Sequence, residues 1–577
     1  METLAPQTQQ LKTTVEYFYH WERTQPTKVY LRQPVGDTFV DLTWGEVGRQ
    51  ARSVATYLHS LGLPPGSNVG LVSKNCAHWL IADLAIGLSG HVSVPFYPTL
   101  TGPQLRQVLD HSECRVLFVG KMDNWADAQA GVPVGVRKIA FPSYPDAAGN
   151  VPPSRSGRSA GAVPVDLTAV QWNDILVRYA PMADSPLPDL SDVFTIIYTS
   201  GTTGNPKGVM ITYDAMAQAI ANTREQMRHD LKETRFFSYL PLCHIAERNV
   251  VEATSLITGG TVYFAESLDT FAKNLVAARP THFLAVPRIW TKFQQGVLAR
   301  MPPAKLDKLL RIPIVSGLVK RKIRQGLGLD DGKVIITGAA PMPASLIQWY
   351  RRLGLVIQEA YGMTENLGAV SMMPADRIKD GTVGRVNRGM DVRIDPETGE
   401  VLTRSAWNMV GYYREPALTA ATLRDGWLYT GDVGLLDADN YLRITGRVKE
   451  IYKSPKGEYI APAQIEFGFA ENPYIEQICV TGQQLPQPIA LIVLTEAARK
   501  ADRQTVADSL QQTLDALNER LAPYERVRKL VLVKEPWTVD NNLLTPTMKM
   551  KRNLIDAYYG HQFEPWYNRP EVIVWEV

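Results

Sequence analysis

The sequence predicts an α/β protein: a large N-terminal domain of mostly parallel sheets with helices plus a small β-barrel-like module, followed by a smaller α+β C-terminal domain. Three observations carry this. At 577 residues the chain is far longer than one hydrophobic core supports. Helix-like and strand-like segments alternate through its first two thirds, the pattern of a sheet covered on its faces. After about residue 380 short hairpins take over, and past 447–450 a compact mix of strands and helices begins. The expected domains are therefore 1–446 and 451–577, with 447–450 between them.

The elements follow in order. Thr43 and Glu46 form a T-x-x-E capping box. Val47, Ala51, Val54, Ala55 and Leu58 then recur at helical spacing, and Gly62 is a natural stop. Short apolar strands are expected at 69–72 and 116–119, and a Pro/Ser/Gly-rich loop at 146–161. The apolar stretch 79–94 is broken by Asp83, Ser89, Gly90, His91 and Ser93. A bilayer span takes roughly 20 apolar residues, so this is not one. Strands at 194–198, 283–286, 334–337 and 355–357 each run into a loop of small or polar residues. Ligands bind beyond the carboxyl ends of strands in such sheets, so these loops are expected to meet. Hairpins follow at 391–402 and 434–445. The last unit reads as strands 478–481 and 489–494, a long helix 497–521 and a strand 530–533.

Composition narrows the function. Lys plus Arg number 61 against 58 Asp plus Glu, so no strong field calls for nucleic acid. Four cysteines fit neither a zinc pattern nor a disulfide framework. The first 14 residues lack the basic-then-apolar order of a signal peptide. A cytoplasmic protein is expected, with peripheral membrane contact left open.

The strongest local signal is Thr199-Ser200-Gly201-Thr202-Thr203-Gly204, followed by Asn205, Pro206, Lys207 and Gly208. It follows an apolar strand. Its glycines let the backbone approach a ligand closely. Its hydroxyls and amides donate to phosphate oxygens, and Lys207 adds a cation. The spacing is not that of a P-loop, which argues against a kinase or motor ATPase. The run Gly326-Leu327-Gly328 precedes a strand instead of following one, so a dinucleotide site there is not expected.

The loop resembles the phosphate loop of the adenylate-forming superfamily. Further motifs agree in order: Gly338-Ala339-Ala340-Pro341, Tyr361-Gly362-Met363-Thr364-Glu365, Tyr429-Thr430-Gly431-Asp432, Gly446-Arg447-Val448-Lys449-Glu450, and 546–552 around Lys549. The resemblance implies ATP, Mg²⁺ and coenzyme A as cofactor and co-substrates, and a mobile C-terminal lid. It places 338–341 on one face of adenine and Tyr361 on the other, with Glu359, Ala360, Gly362, Met363 and Ile444 lining the nucleotide site. It gives Thr364 to the α-phosphate, Glu365 to Mg²⁺ with Thr202 as a second candidate, and Asp432 to the ribose hydroxyls. Arg447 goes to ribose or phosphate, and Lys449 to the hinge. Lys549 becomes the catalytic cation, and of Lys549, Lys551 and Arg552 only one is expected to be catalytic. An ammonium touching both the attacking carboxylate and the α-phosphate lowers their repulsion.

The stretch 240–248, Leu-Pro-Leu-Cys-His-Ile-Ala-Glu-Arg, resembles the L-P-L-x-H-x-x-E-R motif of long-chain fatty acyl-CoA synthetases. The resemblance puts His244 beside the acyl pocket, with a core role as the alternative reading. Cys243 reads as a buried thiol. The pocket wall is expected from 245–253, 284–286 and 336–340, all apolar or small. This favours a fatty acid, ATP and CoA as small-molecule substrates, with no nucleic acid. An acyl-AMP ligase serving an acyl carrier protein, and a non-catalytic nucleotide- or lipid-binding protein, are the alternatives. A homodimer is compatible with the sequence. The basic cluster Lys320, Arg321, Lys322 and Arg324 reads as a solvated face, with anionic lipid or the 3′-phosphate of CoA as other uses.

Overall fold

The computed structural model describes residues 12–143, 168–200, 206–455, 457–539, 541–545 and 549–576. The loop expected at 146–161 lies outside these, as do Gly201, Thr202, Thr203, Gly204 and residues 546–548.

Two large sheets form the body. The eight-stranded sheet runs in the order 411–412, 206–212, 193–200, 92–96, 68–72, 116–119, 137–140, 170–171. The nine-stranded sheet runs 385–386, 371–372, 357–361, 334–337, 282–285, 235–238, 261–264, 29–35, 38–43. Inner neighbours are parallel and antiparallel pairs lie at the margins. Parallel strands need both faces covered. The helix Ala77–Leu88 serves this need: every residue but Gly87 is buried. Trp44, Trp79, Trp172 and Phe118 fill the same core.

The β-rich module is a five-stranded antiparallel sheet holding both expected hairpins, Asp391–Ile394 with Glu400–Arg404 and Trp427–Leu436 with Leu442–Arg447. The C-terminal unit has its own four-stranded sheet, 475–481, 489–494, 529–533 and 573–575, and its own buried clusters.

Two boundaries differ from the sequence reading. The strand expected at 355–357 is Ile357–Tyr361, because Leu355 is taken by the core beneath the preceding turn. The single helix 497–521 is two, Glu496–Lys500 and Arg503–Asn518. Asp502 breaks it by accepting the Thr505 backbone N–H at 2.9 Å, the preferred use of Asp at a helix start.

Candidate active site

Strand register brings the motifs to one cleft. Strands Val193–Ser200 and Pro206–Thr212 pair with Thr199 opposite Lys207. Ser200's side chain and 201–204 are outside the described residues. The strand Gly411–Tyr412 adds to the same hairpin, Tyr412 opposite Val209. This puts the Tyr412 ring 5.5 Å from the Lys207 ammonium. The Tyr412 hydroxyl donates to Glu365 Oε1 at 2.7 Å. Among the described residues nothing takes the other Glu365 oxygen, which suits a hard cation held by one carboxylate plus substrate oxygens. Thr364 and Glu365 are both buried, in the short helical turn Thr364–Asn366.

A second group faces the first. Tyr361 Oη donates to Asp432 Oδ2 at 2.7 Å. Arg447 Nε lies 2.9 Å from Asp432 Oδ1. Asp432 and Arg447 are opposite each other on paired strands. The turn before Asp432 uses Gly431 at φ +74°, a conformation that favours glycine. Thr430 locks it by donating to the Val401 carbonyl at 2.7 Å. The carboxylate is thus aimed before any ligand arrives. Ile444 is half-buried on the same hairpin, opposite Gly434.

Strands Val334–Thr337 and Ile357–Tyr361 run parallel with Thr337 opposite Glu359, so 338–341 and Tyr361 border one slot. Ala339 adopts φ +67°, and a Cβ on Gly338 would lie 3.0 Å from the Ala360 carbonyl. Gly362 is tighter still: its Cβ would lie 2.3 Å from Gly368 backbone. Burial, with Asp380 adding to it, pushes Glu359 up to about 7. Met363 donates its N–H to Asn366 Oδ1 at 2.8 Å, fixing the bend that carries Thr364.

The C-terminal unit contributes Lys549. Its backbone is pinned to Thr545 by two bonds, Thr545 N–H to the Lys549 carbonyl at 2.8 Å and Lys549 N–H to Thr545 Oγ1 at 3.0 Å. By residue surface Lys549 is exposed. Its ammonium is nonetheless crowded by protein, and burial is the main cause holding its pKa below the usual lysine value. A side chain reaching into a cleft has both properties. Arg447 lowers it further, while Asp432, Glu365 and Glu450 oppose. Lys549 is therefore within electrostatic reach of Arg447, Asp432, Glu365 and Glu450.

Its neighbours do other work. Arg552 is paired with Glu466 at 2.8 Å and lies 3.7 Å from Glu450. Lys551 binds Asn542. Of the three basic residues only Lys549 faces the cleft. Lys449 is exposed in the turn after strand Leu442–Arg447. That turn is anchored by Val448 N–H to the Gly431 carbonyl at 2.9 Å, one residue from Asp432.

The L-P-L-C-H-I-A-E-R stretch divides by role. His244 Nδ1 accepts the Ala246 N–H at 3.2 Å, which leaves Nε2 as the protonated nitrogen of the neutral ring. Burial first, and Lys549 second, bring its pKa down to about 4. His244 caps the helical turn Ile245–Glu247, and Lys549 is the charged neighbour acting on its ring. Glu247 and Arg248 belong to the core. Glu247 accepts from the Tyr239 N–H at 2.9 Å, and Arg248 clamps Asp83 at 2.9 and 3.0 Å. Cys243 is buried, and burial raises its pKa.

A cavity lies behind Ala360, lined by Asn249, Val250 and Ala253 of the expected 245–253 segment. Segments 284–286 and 336–340 do not line it. Leu284 and Ile336 pack one layer back, against Val250 and Met372. Ile220 and Met227, on and after the helix Tyr213–Thr223, take their place. Helical spacing at 213–223 marks that helix but not which face meets a cavity. The lining also holds Gln226 and His229, whose Oε1 and two ring nitrogens are buried without a hydrogen-bond partner. Burial brings His229 down to about 4.

Comparison with known proteins places the chain in a family. Residues 18–413 match the AMP-binding enzyme family, and 453–571 match the AMP-binding enzyme C-terminal domain. The chain is 30% identical to the long-chain-fatty-acid–CoA ligase FadD15 of Mycobacterium bovis, covering 96% of each. It is 29% identical to the peroxisomal long chain acyl-CoA synthetase 6 of Arabidopsis thaliana, covering 94% of this chain and 83% of that one. In fold it resembles the adenylation domain of a carboxylate reductase from Mycobacterium chelonae, with TM-score 0.76, 23% identity and coverage of 97% and 92%. It also resembles the anthranilate CoA ligase AuaEII in complex with anthranoyl-AMP, with TM-score 0.73, 20% identity and coverage of 95% and 97%.

Proposed function

This chain belongs to the AMP-binding enzyme family and is an acid-activating, adenylate-forming enzyme; on that premise we propose that its acid is a medium- or long-chain fatty acid and its acceptor the thiol of coenzyme A. The observation that carries the reading is Lys549 set among Asp432, Glu365 and Arg447, with His244 beside it. The mostly apolar cavity behind Ala360, and relatives named for long-chain acids, support the fatty substrate.

In the first half-reaction the acid's carboxylate attacks the α-phosphorus of ATP, and the bond to pyrophosphate breaks. Tyr361 and 338–341 hold adenine, Asp432 takes the ribose hydroxyls, and Thr364 donates to the α-phosphate. Thr199, Ser200, Gly201, Thr202, Thr203, Gly204 and Lys207 cradle the outer phosphates. Glu365 would hold Mg²⁺, which supplies charge neutralisation to those phosphates. Lys549 lies between two anions that must meet, and a fixed cation there is worth most in a partly desolvated cleft. His244, neutral above about pH 5, offers Nε2–H without adding charge.

In the second half-reaction the thiol attacks the acyl carbonyl and AMP leaves. Thiolate is a strong nucleophile, so access matters more than a base. The lid of 451–577 turns about 447–450, with Lys449 taking up the backbone change and Lys549 withdrawn from the cleft.

The test is product analysis by mass spectrometry after incubation with ATP, Mg²⁺, a fatty-acid series and CoA. Acyl-CoA and AMP are expected. Acyl-AMP that accumulates without acyl-CoA would replace CoA by a carrier protein as acceptor. No acyl-AMP from any acid would reject the reading.

A further inference from the structure

The helices Pro303–Leu310 and Pro313–Gly326 form a hairpin on the body surface. Its inner seam is apolar: Leu306 and Ile323 are buried with Leu353, backed by Met301, Val319 and Trp349. Its outer face departs from an ordinary solvated one. Ile312 is 44% exposed, Ile314 83% and Leu318 65%. Along Pro313–Gly326 positions 314, 317, 318, 321, 322 and 325 are all exposed. That spacing is one helix face. It reads Ile, Gly, Leu at the tip, then Arg, Lys, Gln toward the base.

Charge is just as one-sided. Between 301 and 326 there are seven basic residues and one acid. The acid, Asp307, is taken by Arg352. Lys305, Lys308 and Arg311 are exposed beside the apolar tip, and Arg321 and Lys322 continue its face. Exposed isoleucine and leucine ringed by unneutralised cations is the chemistry that partitions into the headgroup region of an anionic membrane. An acidic protein would satisfy the cations but leaves no reason for three bare aliphatic side chains at the tip. A second copy of this basic hairpin would meet like charge.

We propose that the hairpin 303–326 docks the protein on anionic bilayers, with Ile312, Ile314 and Leu318 entering the interface and Lys305, Lys308, Arg311, Arg321 and Lys322 meeting lipid phosphates. Apolar insertion and electrostatic attraction act together, which is how reversible attachment without a spanning helix is obtained. Among the described residues no helix is long and apolar enough to cross a membrane.

The test is flotation of the full chain with vesicles of phosphatidylcholine alone or mixed with phosphatidylglycerol. The wild type is expected to float with the anionic vesicles only, and less so as salt rises. The double variant Ile314→Ser/Leu318→Ser should lose at least about tenfold in bound fraction at constant charge, as two interfacial anchors are removed. Arg321→Glu/Lys322→Glu should lose binding and its salt dependence. Turnover of a short, water-soluble acid by both variants should match wild type, which shows that they fold. Wild type that stays unbound, or variants that float equally well, would overturn the proposal. So would a wild-type dimer that both variants dissociate, since the face would then be covered by a second copy.

Discussion

On the body side of the cleft the charged groups are already held before a ligand arrives. Asp432 sits between Tyr361 and Arg447, Glu365 is fixed by Tyr412, and Lys207 lies over the same tyrosine ring. On the C-terminal side the Lys549 backbone is bonded to Thr545, with Leu544 bridging Met550, within a unit that meets the body through contacts such as Arg288 with Glu476 and Ser345 with Glu471. The Arg288 side chain is half exposed. Exposed pairs contribute little to stability, about 0–1 kcal/mol. The difference teaches that the two sides are held unlike each other: a body cluster whose charged groups fix one another, and a C-terminal unit whose cited contacts to the body are exposed pairs.

The sharpest way to break this contrast is to damage the scaffold beneath the cradle. Arg248→Leu leaves Asp83 and Glu252 buried without their cation. Loss of one partner from such a group costs about 3–5 kcal/mol. Calorimetry should show a large fall in Tm, and both half-reactions should decline together.

Removing the lid's cation should do the reverse. Lys549→Ala is expected to lower adenylation by at least about 10²-fold, the effect of deleting one preorganised charge-stabilising donor. ATP affinity by calorimetry should change little, and stability less. Titration sharpens the point. The Lys549 pKa is depressed, so its charge is lost at lower pH than for a free lysine. Adenylation should therefore fall on the alkaline side, and Lys549→Arg should move that limb upward. His244, at about 4, is neutral throughout the range around pH 7 and should add no step there.

A smaller effect belongs to the cradle's internal bonds. Tyr361→Phe keeps the ring but removes the donor to Asp432. A hydrogen bond to a charged group is worth about 1.5–3 kcal/mol. KM for ATP should rise about tenfold with kcat nearly kept. In the cavity behind Ala360, the variant His229→Leu removes two ring nitrogens that lack a hydrogen-bond partner among the described residues. It should lower KM for plain alkyl acids by a few-fold, as unpaired polar atoms cost about 1–3 kcal/mol each beside a methylene chain. Arg288→Ala should be the mildest, at most about 1 kcal/mol.

Much of the cradle was legible because its residues are local. Thr430, Gly431 and Asp432 are consecutive, and their turn chemistry fixes their geometry. Strand-then-loop patterns likewise announced where the sheets would end. What escaped the sequence was the partner from far away. Tyr412 reaches Glu365 only because strand Gly411–Tyr412 adds to the 206–212 edge, a pairing no local pattern encodes. The cavity behind Ala360 was not legible for the same reason: 284–286 and 336–340 are apolar because they are core strands, and the cavity lies one layer away. Within 240–248 the residues look alike in pattern, yet His244 borders the cleft while Glu247 and Arg248 are buried structural groups.

The most direct measurement is to fasten the lid where it now sits. All four native cysteines, Cys76, Cys114, Cys243 and Cys479, are buried, so the pair Arg288→Cys/Glu476→Cys can be joined selectively by a short, cleavable bis-thiol linker. With ATP, a fatty acid and CoA, the linked protein should form one equivalent of acyl-AMP and release no acyl-CoA until the linker is cut. Acyl-CoA turnover at the unlinked rate would contradict the account, because the lid position that brings Lys549 to the cradle would then serve both reactions.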